Sequence, residues 1–168
     1  NKAVGYTLGI VERDDGQAVA TYMTLGVMDD PVQKKGGVTI SSGTVELTDS
    51  VTFGASKDDV LKISTGATLA VTDDTKITIV QAMDASTPKN DIYAAVTVDG
   101  TLEVRESGDI EYSNIKGTNT AKAVFQINGT MTVDASIDLD DDIYVDGTIT
   151  VLENGKINLM GDMFVNGA

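Results

Sequence analysis

From Phe125 onward the chain keeps its apolar side chains on odd-numbered positions. Every odd residue as far as Gly167 is apolar or glycine except Asp141 and Glu153, while the even positions are mostly Asn, Asp, Thr, Ser and Lys. A period of two is the signature of extended backbone, in which successive side chains point to opposite faces. Here the alternation runs through several Asp-Gly and Asn-Gly steps without changing parity. If Asp99-Gly100 were a two-residue hairpin turn, Val98 would face Thr101 and Leu102 would be thrown to the other side. These glycines are therefore not ordinary hairpin turns.

Two architectures keep parity through a bend: a meander whose loops all have odd length, and a β-solenoid that bends at corners and holds one set of side chains inward. The apolar stretches between bends are short, as in Leu102-Glu103-Val104 and Ile157-Asn158-Leu159. Such segments fall below the usual strand length of about five to six residues, and they suit coils whose strands are paired above and below. A loose repeat of apolar-x-Gly-Thr/Ala-apolar-x-apolar centres on Gly43, Gly66, Gly100, Gly129 and Gly147, with an incomplete copy at Gly167. Its spacing varies from 18 residues (Gly129 to Gly147) to 34 (Gly66 to Gly100), the long intervals holding residues 81–93 and 114–123. The expected fold is all-β: a β-solenoid-like body of short strands over residues 38–168, with an antiparallel β-sandwich as the alternative.

Residues 1–27 follow a different rule. Val4, Tyr6, Leu8 and Ile10 alternate outward, "ERDDGQ" turns, and Val19, Thr21, Met23, Leu25 and Val27 alternate back. Asp15-Gly16 favours a two-residue turn, because both central positions need positive φ. Paired numbers then sum to a constant, setting Val4 opposite Val27, Tyr6 opposite Leu25 and Leu8 opposite Met23. This N-terminal antiparallel β-hairpin is joined to the body by residues 28–37, which contain Pro31. The only other proline, Pro88, lies in the 81–93 interruption, and neither can donate to a strand ladder.

Composition narrows the function. The chain has 168 residues, 41% hydrophobic and only 5% aromatic, with no Trp, so its core is built from Val, Ile, Leu, Met and Ala. Against 26 acidic side chains stand 12 basic ones, a net charge of -14 that repels nucleic acid and anionic lipid. No run approaches the roughly 18 apolar residues of a membrane span. The absence of cysteine excludes disulfides and thiolate metal sites. Without His or Cys the common catalytic triads and zinc sites are also closed, and an enzyme is not expected. The chain opens on Asn1 rather than Met, which with the Thr/Val/Asp/Gly-rich texture points to a processed, extracellular protein.

The sharpest local feature is "DASIDLDDDIYVD". Asp134, Asp138, Asp140, Asp142 and Asp146 share one parity and would form an outward stripe. Asp138, Asp140 and Asp142 are the candidate metal ligands: oxygen donors at this density would relieve their repulsion by binding calcium. The spacing is not that of an EF-hand, since Ile143 stands where the loop needs glycine. The competing explanation is a solvated acidic face.

The runs "VDGTLEV", "INGTMTV" and "VDGTITV" resemble the repetitive β-rich segments of prokaryotic surface-layer, sheath and adhesin proteins, a likeness that covers about residues 38–168. The resemblance implies an envelope or filament protein whose activity is to assemble. The residues lead the same way, for "GDMFVNGA" carries no polar cap, and a solenoid end without one exposes an apolar floor and unpaired strand edges. The expected function is a self-assembling subunit of an extracellular sheath, surface layer or fibre, a homopolymer joined by strand pairing. Val4, Tyr6, Leu8, Met23 and Leu25 of the hairpin would meet Met160, Phe164 and Val165 of a neighbour, unless the hairpin folds back as an intramolecular cap. An adhesin or carbohydrate-binding domain of a larger surface protein is the alternative.

Overall fold

The structure is a computed structural model that describes residues 3–12, 18–28, 37–47, 50–54, 60–72, 74–80, 92–113 and 122–166. Two strands, β1 (Ala3–Glu12) and β2 (Ala18–Met28), pair antiparallel as the N-terminal hairpin. The body then winds in turns of three strands. The first holds β3 (Val38–Ile40), β4 (Gly43–Glu46) and β5 (Val51–Phe53), and the second β6 (Leu61–Ile63), β7 (Ala67–Val71) and β8 (Lys76–Val80). The third turn holds β9 (Ile92–Val98), β10 (Thr101–Val104) and β11 (Asp109–Ser113). The fourth holds β12 (Lys122–Ile127), β13 (Thr130–Val133) and β14 (Ser136–Leu139), and the fifth β15 (Ile143–Val145), β16 (Thr148–Val151) and β17 (Lys156–Leu159). A single strand, β18 (Met163–Val165), opens a sixth.

Every third strand stacks in parallel, giving three sheets: β3-β6-β9-β12-β15-β18 (sheet 1), β4-β7-β10-β13-β16 (sheet 2) and β5-β8-β11-β14-β17 (sheet 3). The molecule is all-β, with no helix among the described residues, and its body is β-solenoid-like. Parity is kept throughout. One inward column of sheet 1 runs Ile40, Ile63, Val98, Ile127, Val145, Val165, and one of sheet 2 runs Val45, Leu69, Leu102, Met131, Ile149. These side chains interlock along the axis, and from the second to the fourth turn those named are 0% exposed.

Most of the irregularity in repeat length arises at one corner. Connections from sheet 1 to sheet 2 are always short, whereas those from sheet 3 back to sheet 1 vary and include residues 81–91 and 114–121, which lie outside the described residues. Insertions at one corner leave the strand stack in register. The bends at Asp99-Gly100, Asn128-Gly129 and Asp146-Gly147 share one geometry, in which both amides donate to the same carbonyl one turn back: Ile63, Val98 and Ile127 respectively.

Glycine is required in this corner column for two different reasons. At Gly66 the backbone has φ +83° with open space around it, so a side chain would strain the backbone. At Gly129 a Cβ would lie 2.1 Å from the carbonyl oxygen of Gly100, so no side chain fits between the stacked bends.

Tyrosines mend the variable corner. Tyr112 is inward on β11 and 7% exposed. Its hydroxyl accepts the Phe125 N–H at 3.1 Å, beside the register shift between β9 and β12, and donates to the Asp142 carbonyl at 3.0 Å. The ring thereby ties together three successive turns. Tyr93 likewise donates to the Gly54 carbonyl.

The hairpin keeps the expected register from Val4↔Val27 to Leu8↔Met23. Beyond Gly9 it shifts by one, so Glu12 faces Ala18 rather than Val19, the partner a two-residue turn would give it. An extra residue on β2 forms a bulge, a common device for adding twist. The Asp15-Gly16 turn itself, and the expected linker apart from Met28 and Gly37, lie outside the described residues. β2 runs alongside β4 and reaches β5 of its own chain, at the first turn rather than at the C-terminal end that an intramolecular cap would cover.

Candidate assembly surface

The two ends of the stack are unlike. At the first turn the inward side chains are all buried: Val38 is 6% exposed, Val45 8% and Phe53 0%. The hairpin strand lies beside this end. At the last turn the same columns come to the surface. Val151, Met163 and Val165 are 48%, 45% and 59% exposed, while the residues directly above them, Val133, Ile143 and Val145, are 0%, 0% and 5%. All of these residues are apolar and inward in their columns, so the exposure marks the last strands among the described residues. The edges of β16, β17 and β18 also have no strand partner below among the described residues, leaving a row of N–H and C=O groups open to pairing.

Outward groups widen this surface on one side. Phe164 stacks on Tyr144 with ring centroids 4.9 Å apart and planes at 15°, and remains 41% exposed. Met160, on the corner between β17 and β18, is 78% exposed. Leu152 is also exposed but sits on a different corner, between β16 and β17. The sequence had picked out Met160, Phe164 and Val165 for this surface and had missed Val151 and Met163. Their parity marks them as inward, and only knowledge of which turn is last converts an inward residue into an exposed one. Of the hairpin residues Val4, Tyr6, Leu8, Met23 and Leu25, the backbone register stands as given above; their side chains lie outside the described residues.

The candidate calcium ligands do not converge. Asp138 lies outward on β14, where its Oδ1 accepts the Asn158 side-chain amide at 2.5 Å. Asp140 and Asp142 fall on the following corner, and Asp142 Oδ1 accepts the Asp162 N–H at 2.9 Å. Among the described residues no group of three or more Asp and Glu could hold a metal ion. Asp138 and Asp142 are instead engaged one turn on, by Asn158 and by the Asp162 N–H respectively.

What the outward columns do instead is pair acids with amides or cations between turns. Successive turns place Asp99, Asn128, Asp146 and Asn166 one above another. The Asn128 amide donates to Asp99 Oδ1 at 2.7 Å, and the Lys62 ammonium lies 3.1 Å from Asp99 Oδ2. The Asn128 amide, followed by the Lys62 ammonium, holds the Asp99 carboxyl below the ordinary carboxylate range. On sheet 2, Arg105 bonds Glu103 at 2.8 Å and lies 3.9 Å from Glu46, two turns away. On sheet 3, the Lys76 ammonium sits 3.0 Å from Glu111.

Among the described residues no helix is long and apolar enough to cross a membrane. No family model, curated protein or solved structure matches the chain. The class of protein is therefore defined by its own geometry: a β-solenoid-like body of three parallel sheets with a hairpin strand beside its first turn.

Proposed function

We propose that this chain is a structural subunit of an extracellular sheath, surface layer or fibre, and that it assembles with copies of itself by pairing strand edges. What supports the reading is the repetitive parallel stack, in which each turn pairs its strand edges with the next, together with apolar inward side chains left exposed at β16 and β18 among the described residues. Fully burying an aliphatic side chain yields about 1.5–3 kcal/mol, so covering the half-exposed Val151, Met163 and Val165 offers several kcal/mol, with backbone pairing added. A charged or aromatic-lined cleft plays no part in this reading, and neither does catalysis. In this reading Val4, Tyr6, Leu8, Met23 and Leu25 of one copy would meet Met160, Phe164 and Val165 of the next.

The test is direct. The purified 168-residue chain, examined by negative-stain electron microscopy and light scattering across a concentration series, should form regular polymers, and Val165→Lys should suppress them while leaving the circular dichroism spectrum unchanged. Dispersed single molecules at the highest concentration would refute the proposal.

A further inference from the structure

Three Asn-Gly steps occur in the sequence: Asn128-Gly129, Asn154-Gly155 and Asn166-Gly167, the last with its glycine outside the described residues. Glycine carries no Cβ, so its amide nitrogen is unhindered and its φ is free, which brings that nitrogen within reach of the side-chain carbonyl carbon of a preceding asparagine. The intrinsic chemistry of the two described steps is therefore alike. Solvent access does not separate them either, since Asn128 and Asn154 are both exposed. Hydrogen bonding does.

At Asn128 every participating group is held. Its side-chain amide donates to Asp99 Oδ1 at 2.7 Å, its Oδ1 accepts the Gln126 amide at 3.0 Å, and the Gly129 N–H donates to the Val98 carbonyl at 2.7 Å, one turn back in the stack. The Asn154 carboxamide makes no hydrogen bond among the described residues. The Gly155 N–H donates at 3.0 Å to the Leu152 carbonyl inside the same bend, so opening that bend frees it without disturbing a neighbouring strand. Two earlier bends occupy the same corner and are closed by the same bond, Thr75 N–H to Thr72 and Gly108 N–H to Arg105. Asp74 and Ser107, which stand there where Asn154 does, are exposed although a further turn lies beneath each. Exposure at this position thus belongs to the corner, not to the end of the stack.

We infer that Asn154 is a site of spontaneous covalent modification in the folded chain. The Gly155 amide nitrogen attacks Asn154 Cγ: the N–Cγ bond forms, the Cγ–Nδ2 bond breaks, and the amide proton leaves with the side-chain nitrogen as ammonia. Water then opens the cyclic imide at either carbonyl, giving aspartate or isoaspartate, with no oxidant or reductant required. Isoaspartate carries the chain through its side-chain carbon, which lengthens the bend between β16 and β17 by a methylene and sets a carboxylate next to Glu153. Asn128, stacked between Asp99 and Asp146, is protected by the same contacts that hold its corner together. The inference concerns a single chain and does not rest on the proposed assembly.

The parent chain serves as its own control, because both asparagines lie in one molecule. Incubated folded at pH 8 and sampled by peptide mapping with mass spectrometry, it should convert Asn154 at least about tenfold faster than Asn128, as expected when one site needs only a local bend to open and the other a stacked corner. Unfolded in guanidinium chloride at the same pH, the chain should convert both at similar rates. Equal rates at the two sites in the folded chain would overturn the inference, as would an Asn154 that stays intact when folded while the unfolded chain loses both. An unfolded chain in which neither asparagine reacts would overturn it as well.

Discussion

The side-chain amide of Asn128 donates to the Asp99 carboxylate one turn above it, at 2.7 Å. The next turn down carries Asp146 in the same column and the next Asn166, so carboxylate and amide alternate along the corner. Strands stack about 4.8 Å apart, a spacing at which adjacent like charges repel. An amide between two carboxylates removes that repulsion and supplies a donor.

Asn128→Asp should therefore destabilise the fold by about 1 kcal/mol at pH 7, as a lost hydrogen bond plus new like-charge contacts. Asp99 has its folded pKa depressed, so its contribution is present above the ordinary carboxylate value and fades as pH falls through the depressed one. The variant lacks that contribution. Urea midpoints should accordingly lie well below the parent's at pH 7 and converge with them toward pH 3; a constant gap would contradict the electrostatic account.

Tyr112→Phe should cost about 1–3 kcal/mol, because it leaves the buried Phe125 N–H without an acceptor. Burial holds the Tyr112 hydroxyl protonated well above the ordinary tyrosine range, against the partial opposition of the Phe125 N–H. A raised folded pKa means that stability is intact below about pH 10 and is lost as pH rises beyond it. Alkaline unfolding followed by circular dichroism should set in above that value in the parent. In Tyr112→Phe that part of the alkaline dependence should be missing.

Two glycines of one corner column should respond differently to alanine. Gly129→Ala places a methyl on the Gly100 carbonyl and should cost about 3 kcal/mol or more, at or beyond the upper end of overpacking. Gly66→Ala meets open space and should cost only the left-handed backbone penalty, roughly 1–2 kcal/mol. Equal losses in thermal or urea melts would contradict the stacking account of Gly129, whose φ lies outside the left-handed region.

Asp109 should prove a liability at neutral pH. Burial raises its carboxyl above the ordinary range; the Ile110 N–H and Lys76 oppose this, while Glu111 and Asp138 add to it. The folded chain thus holds this proton more tightly than the unfolded chain, and stability falls as pH rises through that window. Asp109→Asn should raise the urea midpoint at pH 7 and leave it nearly unchanged at pH 3, where both states are protonated.

Alternation alone identified the inward set from Phe125 to Leu159, because a period of two is local chemistry that survives any bend conserving parity. The hairpin register from Val4↔Val27 to Leu8↔Met23 was equally legible, since a turn and a period suffice to number its pairs. The bulge beyond Gly9 was not, because an unpaired residue on β2 leaves no trace in composition. Nor was it visible that Asp138 and Asp142 would engage Asn158 and the Asp162 N–H, or that Asp99 would find Asn128, residues 29 positions apart brought into one column by winding. Exposure at Val151 and Met163 lay furthest from the sequence. What local pattern determined was which way each side chain faces; which neighbour it meets, and whether anything lies beneath it, depended on how turns of unequal length stack, a property of the wound chain as a whole.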